Sequence, residues 1–223
     1  MYLLKALFYA QAAFALSTQR PYSHHYKPSK GAAYFLENNP AGNNIVCIEI
    51  LVDRLQGHPV RTSTGGIGSF QTDTAGAPAA VDPFGSQGAV KISGKHLFTV
   101  NAGSNTASMF SIDPQDPCAL HLVGEPSATA GKFPISVDYS PQLRLACVLN
   151  GGSKAGLGCF DVHPSRGLGD VGPLHGLPVA VVNETTPPSG PPGSAAQVAF
   201  KPDSSSILAT IKGDAGTTPV RLG

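Results

Sequence analysis

The feature that most constrains the fold of this chain is an internal repeat of about 50 residues. Two complete copies match at a valine, an asparagine and a phenylalanine: Val90 with Val137, Asn101 with Asn150, and Phe110 with Phe160. Each copy contains short alternating runs of β-branched, aromatic and polar residues with turns between them, which predicts antiparallel strands. A single small sheet cannot bury both of its faces until it stacks on a neighbour, so the repeat predicts the blades of a β-propeller.

Incomplete copies flank the two complete ones. The earlier copy begins at its second strand, residues 33–38, with a third strand at 45–50. The later copy shows two strands, at 195–200 and 207–213. Outer fourth strands are expected at 119–123 and 177–182. We therefore predict an all-β propeller of about three to four blades over residues 31–213, divided at approximately 31–80, 86–131, 133–183 and 194–213, the last incomplete, with a Pro/Gly-rich loop at 184–194 and a tail at 214–223.

Two stretches carry a resemblance to a known family. Residues 98–113, which begin Phe98-Thr99-Val100-Asn101-Ala102-Gly103-Ser104, closely resemble the blade signature of the lactonase family of seven-bladed propellers. This family includes the 6-phosphogluconolactonases and the fungal 3-carboxymuconate cyclases. The segment Phe200-Lys201-Pro202-Asp203 is similar to the family's Ser-Pro-Asp-Gly turn. Seven such blades need roughly 350 residues, so the resemblance implies that this chain is an N-terminal part of a larger ring.

The resemblance also implies a function. In lactonizing members, metal-free proton transfer without a cofactor opens or closes a ring on a small carboxylated lactone or muconate at the central channel. Their histidine follows a proline at the start of an innermost strand, where this chain has Pro134-Ile135, Gln87-Gly88 and Ala196-Gln197. Isoleucine, glycine and glutamine cannot transfer protons. A second hypothesis is therefore a catalytically silent exported glycoprotein that uses the propeller as a binding scaffold.

Few polar residues are candidates for the channel. Gln197 and Lys212 are the best ones in the fourth copy, although Lys212 also fits a solvated strand end. Asn38, Asn101 and Asn150 recur at the ends of second strands. Two interpretations are open: the asparagines form a ring of polar ligands, or they end each strand because asparagine favours turns. The glycine pattern at 167–172 has the sequence spacing of a dinucleotide-binding fingerprint. It is not expected to bind a dinucleotide, because the Pro173 that follows prevents the required helix. No spacing predicts a metal site.

The net charge indicates which partners to expect, and the N-terminal segment indicates the cellular compartment. With 15 Lys+Arg against 14 Asp+Glu, the net charge of +1 gives no field that would attract nucleic acid. The apolar run at 6–16 is shorter than the roughly 20 residues of a membrane span. Residues 1–17 fit a secretory signal peptide followed by a polar arm at 18–30, the alternative being a buried N-terminal helix. We expect a secreted protein.

The cysteines and one sequon fit export. Cys47, Cys118, Cys147 and Cys159 are even in number, and none belongs to a Cys-x-x-Cys pair. Cys147 and Cys159 are expected to face each other in a hairpin, either as a disulfide or as a small core contact. The matching places in other copies hold Phe35 with Cys47 and Phe98 with Met109, an aromatic–sulfur pair. Asn183-Glu184-Thr185 is a candidate glycosylation site.

Overall fold

The computed structural model describes residues 31–51, 58–73, 75–79, 82–178, 182–190, 193–213 and 221–222. All regular secondary structure within these ranges is β, which confirms the predicted all-β class. No helix that could cross a membrane occurs among the residues described. The predicted signal peptide at 1–17, the arm at 18–30 and most of the tail at 214–223 lie outside them.

The strands form four antiparallel sheets, which we call blades 1 to 4. Blade 1 contains β1 (Gly31–Leu36), β2 (Asn44–Ile50) and β3 (Val60–Ser63). Blade 2 contains β4 (Val90–Ser93), β5 (His96–Asn101), β6 (Thr106–Ile112), β7 (Leu120–Leu122) and β8 (Ser127–Ala128). Blade 3 contains β9 (Pro134–Ser140), β10 (Leu145–Asn150), β11 (Gly156–His163), β12 (Gly167–Val171) and β13 (His175–Gly176). Blade 4 contains β14 (Ala195–Phe200), β15 (Ile207–Ile211) and β16 (Arg221–Leu222).

The apolar core lies between the blades, in three layers. Ile45 of blade 1 packs against Leu97 and Phe110 of blade 2. A second layer joins blades 2 and 3 through Phe98, Val100, Met109, Val137, Val148 and Phe160. A third joins blades 3 and 4 through Phe133, Ile135, Leu149, Val198 and Ala209. This face-to-face stacking of small sheets is the packing of a propeller.

The connection between blades 1 and 2 reaches across to blade 4. The Thr72 amide donates a 2.9 Å hydrogen bond to the Pro188 carbonyl, and the Gln87 amide donates to the Ala196 carbonyl at 3.3 Å. Phe84 packs against Phe133 with ring centroids 6.0 Å apart. The connection thus packs against the start of blade 4.

Two details of the predicted strands are wrong. The outer strand of blade 3 is β12, which is built from the glycine pattern that resembles a dinucleotide fingerprint; Leu177 and Val182 of the predicted strand belong to no strand, and residues 179–181 lie outside the described ranges. Leu177 and Val182 are buried core residues, which explains their apolar character. In blade 1, Cys47 lies opposite Tyr34 rather than Phe35, because Phe35 pairs with Val46. An aromatic residue therefore lies opposite a sulfur in both blades, with Tyr34 in place of the predicted Phe35 in blade 1 and Phe98 opposite Met109 in blade 2.

Candidate functional site at the inner strand ends

The inner strands of blades 2, 3 and 4 meet through the side chain of Ser136. Its hydroxyl donates to the Gly88 carbonyl at 3.1 Å and accepts from the Val198 amide at 3.1 Å. The Val137 amide also donates to Gly88, at 2.9 Å. One fully buried serine on β9 thus binds the backbone of both neighbouring inner strands. The Ser136 hydroxyl is therefore occupied by hydrogen bonds that hold the blades together.

Gly88 has no space for a side chain. A Cβ atom there would lie 2.7 Å from the Ser136 Oγ and 3.5 Å from the Gln197 Cγ. Real Cβ atoms do not approach a neighbour as closely as 2.7 Å. The glycine is therefore required by the close approach of the inner strands, and it places the Gln197 side chain beside the backbone of blade 2.

A half-buried ion pair lies further along the same strands. The Lys91 Nζ is 2.6 Å from the Asp138 Oδ1, and the Phe200 amide donates to the Asp138 Oδ2 at 2.6 Å. The Asp138 side chain is 8% exposed, whereas that of Lys91 is 39% exposed. Asp138 thus joins blades 2, 3 and 4 as Ser136 does. With both oxygens occupied, it is a structural carboxylate.

Gln197 and Lys212, the predicted candidates, lie on adjacent strands of blade 4 but not opposite each other. Gln197 is exposed and pairs with Thr210, whereas the Lys212 amide donates to the Ser194 carbonyl at 2.7 Å. The Lys212 Nζ forms an ion pair with the Asp82 Oδ2 at 3.0 Å. Lys212 follows β15 where Asn101 and Asn150 end β5 and β10. A cation therefore replaces the asparagine of the other blades.

Asn101 and Asn150 are buried connectors between blades. Thr64 and Thr129, which follow the outer strands of the preceding blades, each donate a 2.6 Å hydrogen bond to the Oδ1 of one asparagine. Gly66 and Gly131 leave room for the two amides. Asn38 differs, because it adopts a positive φ of 54° and binds the backbone of Ser69. The repeated Thr-x-Gly pattern at 64–66 and 129–131 is the sequence signal that could have predicted these bonds.

The predicted disulfide and the glycosylation candidate are both among the described residues. The structure joins Cys147 to Cys159 directly across β10 and β11, with Cα atoms 4.1 Å apart. It also joins Cys47 to Cys118, a pair that the sequence analysis does not identify. Asn183 is exposed. Next to it, burial raises the pKa of Glu184, although hydrogen bonds from the Ser189 and Thr185 backbone act in the opposite direction.

The chemistry available at the inner strand ends follows from these contacts. Ser136 and Asp138 are committed to bonds between blades, and Gly88 offers only backbone. An exposed amide at Gln197 and an ion-paired ammonium at Lys212 remain, which can bind a carboxylate or a carbonyl oxygen. No imidazole lies at the start of β4, β9 or β14 in the described structure. Within the same residues, no group of three or more His, Cys, Asp or Glu could hold a metal ion.

No family model and no curated protein matches the chain. Solved structures do. A functionally unknown protein from Desulfotomaculum acetoxidans aligns with a TM-score of 0.52 and 17% identity, over 83% of this chain and 52% of that one. A putative 6-phosphogluconolactonase from Bacteroides fragilis aligns with a TM-score of 0.50 and 17% identity, over 80% of this chain and 45% of that one. The chain therefore has a β-propeller fold of the lactonase type and spans about half the length of these two structures.

Proposed function

We propose that this chain supplies blades of a lactonase-type ring that opens or closes the lactone of a small carboxylated compound, a muconate or a sugar lactone. The proposal includes metal-free proton transfer and no cofactor. The described blades contribute substrate binding, and the acid and base come from other blades of the ring. The fold shared with a putative 6-phosphogluconolactonase supports the lactone class.

The position of Lys212 is the observation that carries the proposal. Lys212 occupies the place of a buried connecting asparagine and gives the inner end of blade 4 a positive charge. Its partner, Asp82, is half exposed, and exposed ion pairs are held by about 0–1 kcal/mol. A substrate carboxylate can therefore exchange with Asp82 at little cost. Exposed Gln197 lies three residues along the chain from Ser194, whose carbonyl accepts from the Lys212 amide, and it offers an amide for a second oxygen.

The test is binding of 3-carboxymuconate to the purified chain by isothermal titration calorimetry. Lys212→Met should weaken binding about tenfold, the equivalent of one charge-assisted hydrogen bond. Lys201→Met is the matched control, because Lys201 is an ion-paired lysine at the opposite end of the same strand pair, 3.8 Å from Asp203. Equal weakening in both variants, or none in Lys212→Met, would count against the proposal.

A second candidate function is a silent binding scaffold, and a specific observation favours it. The polar side chains that point between the inner strands, Ser136 and Asp138, are both occupied by bonds between blades. In this case neither the chain nor a complete ring turns over a lactone. An assay of the complete ring separates the two candidates, since the lactonase proposal requires turnover there.

Secretion is part of either candidate. We propose that the signal peptide within residues 1–17 is cut after Ala15 or Ser17 on export and that Asn183 carries a glycan. After expression in a secretory host, mass spectrometry should find an N-terminus at Leu16 or Thr18 and a glycan that disappears in Asn183→Gln. An intact Met1 on the protein would contradict the proposed signal peptide.

A further inference from the structure

A cavity lies at the opposite end of blade 3 from the inner strand starts. It has a volume of about 380 Å³, which is in the range of small-molecule sites. Its lining includes the turn between β9 and β10 and the turn between β11 and β12. Because β9 starts near Gly88 and ends at this turn, the cavity is separated from Gln197 and Lys212 by the length of a strand.

The lining of this cavity combines basic and apolar side chains. Arg144, Arg166 and His163 line it together with Leu143 and Leu168, and one carboxylate, Asp161, is also present. Neither guanidinium has a hydrogen-bond or ion-pair partner among the residues described. Two arginines without partners beside a single carboxylate leave positive charge in the cavity, since a guanidinium stays protonated at all physiological pH values.

Both arginines are exposed, and hydrogen bonds fix the backbone from which their side chains extend. The Arg144 carbonyl accepts a 2.9 Å hydrogen bond from the Val162 amide, and the Arg166 amide donates to the His163 carbonyl at 3.2 Å. Arg144 has a φ of 53°, a left-handed conformation that favours glycine over a residue with a side chain. The Arg166 carbonyl lies against Gly124 of blade 2, where no Cβ would fit. The two turns are therefore fixed before any ligand arrives.

We propose that this cavity binds a small organic dianion, whose doubly charged oxyanion head contacts the guanidiniums of Arg144 and Arg166 and whose apolar body packs on Leu143 and Leu168. The planar guanidinium fork matches the geometry of a phosphate or a carboxylate. The two positive charges of the two guanidiniums balance the two negative charges of such an oxyanion. The site is independent of the function proposed for the inner strand ends, because it shares no residue with them.

The test is titration of the full chain with phenyl phosphate, followed by NMR chemical-shift changes. Phthalate is a second arm that distinguishes a dicarboxylate from a phosphate monoester, and phenol is the neutral control. Arg144→Gln and Arg166→Gln should each weaken phenyl phosphate binding about tenfold. Asp161→Asn should strengthen binding several-fold, because it removes the one negative charge that lines the cavity. Stronger binding of phthalate would assign the head as a dicarboxylate, which supports the same site.

The controls separate this site from general charge effects. Arg61→Gln removes an arginine that is paired with Glu37 on blade 1, and Lys201→Met removes a lysine that is paired with Asp203 beside blade 4. Both variants should bind phenyl phosphate as the original chain does. The proposal is overturned if phenol binds as well as phenyl phosphate, if the two cavity arginines can be replaced without effect, or if Arg61→Gln weakens binding equally. Retained ¹H–¹⁵N spectra of all variants show that each one is folded.

Discussion

The hydroxyl of Thr129 donates a 2.6 Å hydrogen bond to the Oδ1 of Asn150, which is fully buried at the end of β10. The Asn150 amide in turn donates to the carbonyls of Thr129 and Gly156. One side chain therefore connects the outer edge of blade 2 to two strand ends of blade 3. Removing it leaves buried donors and acceptors without partners, at a cost of about 1–3 kcal/mol for each unsatisfied group.

Asn150→Ala should accordingly lower the free energy of unfolding by about 2–4 kcal/mol. Urea denaturation followed by far-UV circular dichroism measures this value. Gln142→Ala, in the exposed turn of the same blade, is the control and should change stability by less than about 0.5 kcal/mol. An Asn150→Ala variant as stable as that control would show that the amide does not hold the blades together.

The contact between Gly88 and Ser136 makes a prediction about coupling. Gly88→Ala places a methyl group against the Ser136 Oγ and should destabilise the chain by about 1–3 kcal/mol, as overpacking does. Ser136→Ala removes that oxygen, so the double variant should be more stable than the sum of the two single effects predicts. A double-mutant cycle of urea denaturation measures the coupling. Additive effects would contradict the close approach of the inner strands.

The two disulfides should differ in their contribution to stability. Cys47–Cys118 encloses a sequence separation of 71 residues and Cys147–Cys159 one of 12. The loop-entropy relation gives about 4 kcal/mol for the longer loop and about 3 kcal/mol for the shorter. Replacing the first pair with alanines should therefore destabilise the chain more than replacing the second pair. The opposite order in urea denaturation would contradict this ranking.

His96 gives stability a pH dependence. Burial, followed by the charge of Lys95, lowers the pKa of His96 below its ordinary value of 6.5. The unfolded chain thus binds the proton at a higher pH than the folded chain. The resulting stability is complete above about pH 6.5 and is lost as the pH falls through the folded pKa.

His96→Gln should therefore weaken the loss of stability between pH 7 and pH 5, which urea denaturation at several pH values measures. His121→Gln, exposed on β7 of the same blade, is the control and should leave the pH dependence of the original chain in place. If His96→Gln retains the full pH dependence, another group is responsible.

The repeat predicted most of the fold because strand period and turn chemistry are local properties. Both complete blades have their first three strands where Val90, Asn101, Phe110 and their counterparts place them. The outer strand of blade 3 was not predictable in the same way. Gly167 and Gly169 lack the β-branched pattern of a strand. Glycine is suited to these positions because β12 runs close to the carbonyls of Val123 and Asp161, which leaves little room for a side chain.

The residues of the candidate site were predictable from the sequence, but the contacts that they make in the structure were not. Gln197 and Lys212 follow from the strand alignment, since they fall at the inner strand and at the end of the second strand. The Lys212–Asp82 ion pair does not, because its partners are 130 positions apart. The roles of Asn101 and Asn150 depend on threonines of the preceding blade, so neither the ligand nor the turn interpretation describes them. Cys118 likewise pairs with a cysteine from another blade, which spacing alone does not reveal.

Calorimetric titration of the 223-residue chain with 3-carboxymuconate tests the central claim most directly, because one record reports both binding heat and the continuous heat of turnover. We predict saturable binding that depends on Lys212 and no continuous heat above that of buffer, since no imidazole lies at the described inner strand starts and the Asp138 carboxylate is held by Lys91 and the Phe200 amide. Continuous heat that is abolished by Gln197→Ala or Lys212→Ala would contradict the account, as would an absence of binding heat in a folded sample.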